Sequence, residues 1–83
     1  MTVYSLHTLS DREFALALRD DLWSRDLNAL TARVVAGKEA YRELNGPGEN
    51  RGNTILPKVG WIGLRLDESM GEWDAMIVER EGA

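Results

Sequence analysis

The stretch from Asp26 to Leu44, DLNALTARVVAGKEAYREL, decides the fold that the sequence predicts. Its larger apolar residues recur at helical spacing, which places them on one face: Leu27, Leu30, Val34, Tyr41 and Leu44. Asp26 is expected to cap the start of a helix, and Asn45-Gly46-Pro47 to end it. We therefore predict a helix over residues 27–44, in which Gly37 lets a neighbouring segment approach closely.

The residues before this stretch predict another helix, over residues 11–23. Ser10 and Glu13 have the spacing of a capping box, in which each side chain accepts a hydrogen bond from the other residue's backbone N–H. The stripe expected to be buried consists of Phe14, Leu18 and Leu22. On a single helical wheel this stripe lies about 140° from that of the following stretch. A break near Arg25 lets both stripes face one core, so we predict two helices.

β-branched, aromatic and turn residues indicate the other elements. In chain order these are a strand at 2–9, a loop at 45–53, a strand at 54–66, a turn at 67–72 and a strand at 73–80. Met70, Trp73 and Ile77 also fit a helical stripe, so a C-terminal helix stays open as an alternative. We predict one α+β domain over residues 1–83, in the order β-α-α-β-β. Its three-stranded antiparallel sheet would have two helices packed on one face.

The charge is unevenly distributed along the chain. The 83 residues carry a net charge of −4, and residues 67–83 hold six acidic residues and one arginine, a net charge of −5. Residues 45–66 carry a net charge of +2. Because nucleic-acid binding needs a basic footprint, the acidic end argues against direct nucleic-acid binding and suits a basic protein surface. Acids that only keep a small domain soluble are the alternative interpretation.

The composition also bears on location. No apolar run approaches the roughly 18 residues of a membrane-spanning helix. The first residues, MTVYSLHTLSDREF, lack the basic and apolar regions of a signal peptide. We expect a cytoplasmic protein of a bacterial host that does not bind a membrane.

Patterns that carry catalysis or metal binding are not found in this sequence. With no cysteine and a single histidine, His7, thiol chemistry is excluded and a zinc site is not expected. No serine lies in a G-x-S-x-G pattern, and the glycine-rich residues 46–53 lack the Gly-Lys-Ser/Thr ending of a phosphate-binding loop. The acids at 67–74 do not match a calcium loop. We expect no catalytic residue, no metal site and no cofactor.

Three tryptophans in a chain this short suggest either core filling or an exposed anchor for a partner. Trp61, on a glycine-flanked strand, and Trp73, beside the acidic turn, are the favoured anchors. The predicted partner-binding residues are Asp67, Glu68, Glu72, Asp74, Trp61 and Trp73.

A small, acidic, cysteine-free domain without motifs resembles in character the phage-encoded inhibitors of bacterial defence, including anti-CRISPR proteins. This resemblance implies an inhibitor that docks on another protein. We predict a non-catalytic acidic protein-binding module that docks on a basic surface of a larger, nucleic-acid-handling protein. The alternative is a structural homo-oligomerising accessory domain with no inhibitory role, forming a homodimer through an edge strand at 2–9 or 73–80.

Overall fold

The computed structural model describes residues 2–46 and 52–80, which form a small α+β structure with two helices and one five-stranded sheet. The elements in chain order are β1 (Tyr4–Ser5), α1 (Asp11–Ser24), β2 (Ala32–Ala36), α2 (Lys38–Asn45), β3 (Asn53–Leu56), β4 (Gly60–Leu66) and β5 (Asp74–Glu79). The strand order across the sheet is β1-β5-β2-β4-β3. Strands β2 and β4 are parallel, and the other neighbours are antiparallel.

The α+β class is thus confirmed, whereas the three-stranded antiparallel sheet and the order β-α-α-β-β are wrong. The described residues follow the order β-α-β-α-β-β-β, and their sheet is mixed. A parallel pair needs a crossover connection, and α2 supplies it between β2 and β4.

Helix α1 begins where the sequence predicts. The Ser10 side chain accepts from the Glu13 N–H, and the Glu13 side chain accepts from the Ser10 N–H, each at 3.2 Å. The chain leaves the helix at Arg25, and Asp26 has a φ of 54°, so Asp26 does not cap a second helix.

The helix predicted over 27–44 is wrong in its first half. The Asn28 side-chain oxygen accepts from the backbone N–H groups of Leu30 and Thr31, which forms a turn instead of a first helical residue. The chain then enters β2, whose β-branched Val34 and Val35 suit a central strand. Gly37 is the N-cap of α2 and not a residue of a helix interior.

The strand predicted over 54–66 is a hairpin of β3 and β4. Residues 57–59 turn the chain, with Lys58 at a φ of 62°, so the predicted single strand folds back on itself. The strand predicted at 2–9 is limited to β1, because the Ser5 carbonyl accepts from Thr8 and Leu9 and starts a turn.

The segment predicted as strand 73–80 forms β5, so the alternative of a C-terminal helix is wrong. The turn predicted at 67–72 matches the connection between β4 and β5. Part of the loop predicted at 45–53, residues 47–51, lies outside the described residues, while Asn45 ends α2 and Asn53 begins β3.

Both helices pack on the same face of the sheet. Opposite residues in paired strands place their side chains on one face, and Val34 lies opposite both Leu64 and Ile77. These three residues share one buried cluster with Phe14, Leu18 and Leu22 of α1 and Ala40 of α2. The other face of the sheet is covered by neither helix, and it is called here the open face.

Candidate interaction surface

The open face carries the residues that alternate with the core positions. These are Arg33 and Val35 on β2, Trp61, Gly63 and Arg65 on β4, and Met76 and Val78 on β5. Trp61 is 55% exposed, and Ile55, opposite it on β3, is equally exposed. This exposed apolar pair on the uncovered side of the sheet makes the open face a candidate interaction surface.

An acidic loop, defined as residues 67–74, connects β4 to β5 at one end of the sheet. It is fixed by backbone hydrogen bonds at both ends. The Asp67 N–H donates to the Ala36 carbonyl at 2.9 Å, and the Gly37 N–H donates to the Asp74 carbonyl at 2.9 Å. The Glu72 carbonyl accepts from the first turn of α2, from Glu39 and Ala40, at 2.8 Å each. The loop therefore holds its side chains in a defined place.

The approach of this loop to α2 explains Gly37. A Cβ atom at this position would overlap the Gly71 carbonyl oxygen and would lie 2.7 Å from the Gly71 carbonyl carbon. The close approach predicted from the sequence is therefore confirmed, although it occurs at a helix cap.

The carboxylates of the acidic loop point to solvent or to the loop itself. Glu68 and Glu72 are exposed, and Asp67 accepts hydrogen bonds from the Ser69 hydroxyl at 2.6 Å and the Ser69 N–H at 2.9 Å. These bonds favour the ionised form and lower the pKa of Asp67 from its ordinary value, with a smaller contribution from Arg65. Within the described residues, no cation lies within 4.0 Å of a carboxylate of this loop.

The structure brings together only part of the predicted partner site. Asp67, Glu68, Glu72 and Asp74 share the acidic loop. Trp73 lies in the same loop, but it is half-buried and its ring lies 5.5 Å from that of His7. Trp61, on β4, is exposed as an anchor should be. It lies six residues before Asp67, however, which is about 20 Å along an extended strand.

The neighbours of Trp61 are arginines, which sequence reasoning missed. Arg33, Arg65 and Arg80 line a shallow depression of about 350 Å³ together with Trp61 and Gly63. We call Arg33, Trp61, Arg65 and Arg80 the arginine patch. Of its arginines, only Arg65 lies within residues 45–66, whose net charge of +2 is a weak signal. The sequence pattern places Arg33 in a helix and Arg80 in the acidic end.

A second depression, of about 380 Å³, adjoins the first on the open face. It shares Arg33 and Arg65 with the first depression. Its other lining residues are the apolar Val35, Met70, Met76 and Val78 and the acidic Asp67 and Glu79. The two depressions therefore connect the arginine patch to the acidic loop.

The other tryptophan, Trp23, is 48% exposed on α1, where the Arg19 guanidinium lies 4.7 Å from its ring centre. His7 is exposed. Among the described residues no group of three or more histidines and acids is arranged to hold a metal ion. None of the helices described is long and apolar enough to cross a membrane.

No protein-family model matches this chain, and no curated protein or solved structure is significantly similar to it.

Proposed function

We propose that the protein is a non-catalytic binding module that docks on a basic surface of a larger protein through its acidic loop. The observation that carries this proposal is the anchored loop itself. Four acidic residues lie within eight positions that contain no lysine or arginine, on a backbone tied to β2 and α2. Charges fixed in this way lose less conformational entropy on binding than charges on a mobile segment.

The partner we propose is a nucleic-acid-handling protein of a bacterial host. Surfaces that hold phosphates are rich in arginine and lysine, so they offer the complementary charge. A module that covers such a surface acts as an inhibitor, as the resemblance to phage-type, anti-CRISPR-like proteins implies. Opposite charges on the two surfaces also accelerate association.

The test compares variants of equal net charge. Glu68→Gln with Glu72→Gln removes two exposed carboxylates of the loop and raises the net charge by 2. Glu43→Lys, exposed on α2, raises it by the same amount elsewhere on the molecule. The tagged proteins are used to capture partners from a bacterial lysate at 0.1 M and 1 M salt, and the captured proteins are identified by mass spectrometry.

We expect the wild type and Glu43→Lys to retain one stoichiometric basic protein at 0.1 M salt, and the double variant to lose it. The wild type should lose it at 1 M salt, because salt screens exposed charge pairs. Capture of the same protein by the double variant would contradict the acidic-loop proposal.

The alternative function, a structural homo-oligomerising domain, depends on an edge strand. Strand β5 lies between β1 and β2, but β1 pairs with it only at Asp74 and Ala75, so within the described residues positions 76–79 have no strand on that side. Strand β3, with four residues, is an outer strand, as is the two-residue β1. A solution mass of twice 9.3 kDa in the absence of a captured protein would favour this alternative.

A further inference from the structure

The arginine patch is distinct from the acidic loop in position and in charge. The sheet register places Arg33 between Gly63 and Val78, and Val35 between Arg65 and Met76. The Arg80 N–H donates to the Thr31 carbonyl at 2.9 Å, which places Arg80 in the next row of open-face side chains beyond Arg33. The patch therefore spans three successive rows of side chains on the open face, about 13 Å along the strands.

Within the described part of the chain, the arginines of the patch form no direct ion pair, although Asp67 and Glu79 line the second depression beside them. Among the described residues, no ion pair within 4.0 Å involves Arg33, Arg65 or Arg80, although other arginines form such pairs with Asp20, Asp21 and Glu39. Gly63 lies between Trp61 and Arg65 and lines the first depression. Because it has no side chain, it leaves space there. Three positive charges therefore border a space that an anionic group can enter.

We propose that the arginine patch binds an acidic segment of a partner protein, one that also carries apolar side chains. Guanidinium groups bind carboxylates through paired hydrogen bonds. The second depression offers Val35, Met76 and Val78 to apolar side chains next to those carboxylates. Tryptophan, arginine and methionine are the residues enriched where proteins bind one another.

A single-stranded nucleic acid fits the same patch less well. Such ligands stack successive bases on several aromatic rings, and Trp61 is the one aromatic residue that lines either depression among the described residues. A nucleic acid running along the strands would meet the Asp67 carboxylate about 7 Å beyond Arg65.

A second copy of this chain stacked through its own open face is also a poorer occupant. Two open faces stacked about their centre would bring Arg33 and Arg65 of one copy against the same arginines of the other. The carboxylates that line the second depression, Asp67 and Glu79, form no ion pair within 4.0 Å with these arginines. Burying like charges without a partner is costly, so the symmetric contact is unfavourable.

The binding of an acidic segment goes beyond the proposed function, because it assigns a second site with the opposite charge preference. A partner that engages both sites would present basic side chains to the acidic loop and carboxylates to the arginine patch. The two contacts would occupy one continuous side of the molecule, from the acidic loop to Trp61.

The test is an NMR titration of the full 83-residue chain. The probes are a short synthetic peptide of glutamate and leucine, the same peptide with glutamine in place of glutamate, and an eight-nucleotide oligothymidine. The indole N–H signal of Trp61, assigned with Trp61→Phe, reports binding, together with the backbone signals of Gly63 and Arg65. The signals of Trp23 on α1 serve as the internal reference.

We expect the acidic peptide to shift the Trp61 signal and not the Trp23 signal. The double variant Arg33→Gln with Arg65→Gln should weaken binding of this peptide about tenfold or more, since two charged contacts are lost. The control is Arg12→Gln with Arg42→Gln, which removes two exposed charges from the helices and should leave binding unchanged. If the double variant unfolds, Arg80→Gln, beyond the end of β5, provides a milder variant. It should weaken binding of the acidic peptide about threefold.

Binding of oligothymidine at a lower concentration than the acidic peptide would overturn this inference, and so would equal binding of the glutamine peptide. Equal weakening of peptide binding by the control variant, or no shift of the Trp61 signal with any probe, would also overturn it. The outcome is separate from that of the proposed function. Glu68→Gln with Glu72→Gln should retain peptide binding, so failure of the acidic loop leaves the arginine patch testable.

Discussion

Gly37 lies between β2 and α2 and packs against the acidic loop at Gly71. Its φ of −69° and ψ of 173° are open to any residue, so glycine is required here for space and not for conformation. We expect Gly37→Ala to lower the free energy of unfolding by about 1–3 kcal/mol, the usual cost of overpacking. Urea denaturation followed by circular dichroism measures it.

Gly63 provides the matched control for this prediction. A Cβ atom there would meet the Cβ of Arg33 at 3.8 Å, an ordinary van der Waals contact. Because glycine weakens a strand relative to alanine, Gly63→Ala should leave stability unchanged or raise it by about 0.5–1 kcal/mol. Equal loss of stability in both variants would show that the contact between Gly37 and Gly71 is not the cause.

At the level of elements, helix α1 was predictable because its signals are local. Ser10 and Glu13 satisfy each other's backbone N–H groups within four residues of chain. Strand β2 was not predictable in this way, since its stability depends on pairing with β4 and β5, both distant in sequence. Leu30 and Val34 fit a helical spacing by coincidence, for Leu30 is 81% exposed and Val34 is buried.

The same difference between local signals and long-range pairing explains which parts of the interaction surface the sequence could predict. The acidic residues could be located from composition alone, because they are contiguous in the chain and lie in a turn. The arginine patch draws on β2, β4 and the end of β5, and only the sheet order brings these three together. Trp61 could be suspected from its glycine neighbours, but its arginine surroundings could not.

The capping box of α1 should make stability depend on pH. Hydrogen bonds from Ser10, first from its hydroxyl and then from its backbone, lower the pKa of Glu13 in the folded state. The charged form therefore stabilises the fold above the unfolded pKa of about 4.3, and this contribution is lost as pH falls through the lower folded pKa. We expect Glu13→Gln to be less stable than the wild type at pH 7, with the difference shrinking towards pH 3.

Urea denaturation at several pH values tests this dependence. Glu43→Gln is the control, because the Glu43 side chain is exposed on α2 and accepts no hydrogen bond from another described residue. Its difference from the wild type should stay small across the range. A difference for Glu13→Gln that does not change with pH would show that the carboxylate charge plays no part in the cap.

At the scale of the whole molecule, one buried cluster joins both helices to four strands. It includes Phe14 and Leu22 of α1, Ala40 of α2, and residues of β2, β3, β4 and β5. Since the open face contributes little to this cluster, most of the hydrophobic stabilisation comes from one layer of side chains. An 83-residue domain has a free energy of unfolding of about 4–12 kcal/mol, so a single large cavity removes much of it.

Phe14→Ala tests this dependence on one layer. Phe14 is 1% exposed, and its truncation should cost about 3–5 kcal/mol from lost burial and the cavity that remains. Leu30→Ala is the control, because Leu30 is 81% exposed and its loss should change stability by no more than about 0.5 kcal/mol. In both variants the unfolding transitions by circular dichroism and tryptophan fluorescence should coincide, since the helices and strands share one core. Separate transitions would mean that the sheet and α1 unfold independently, and the single layer would not be the source of stability.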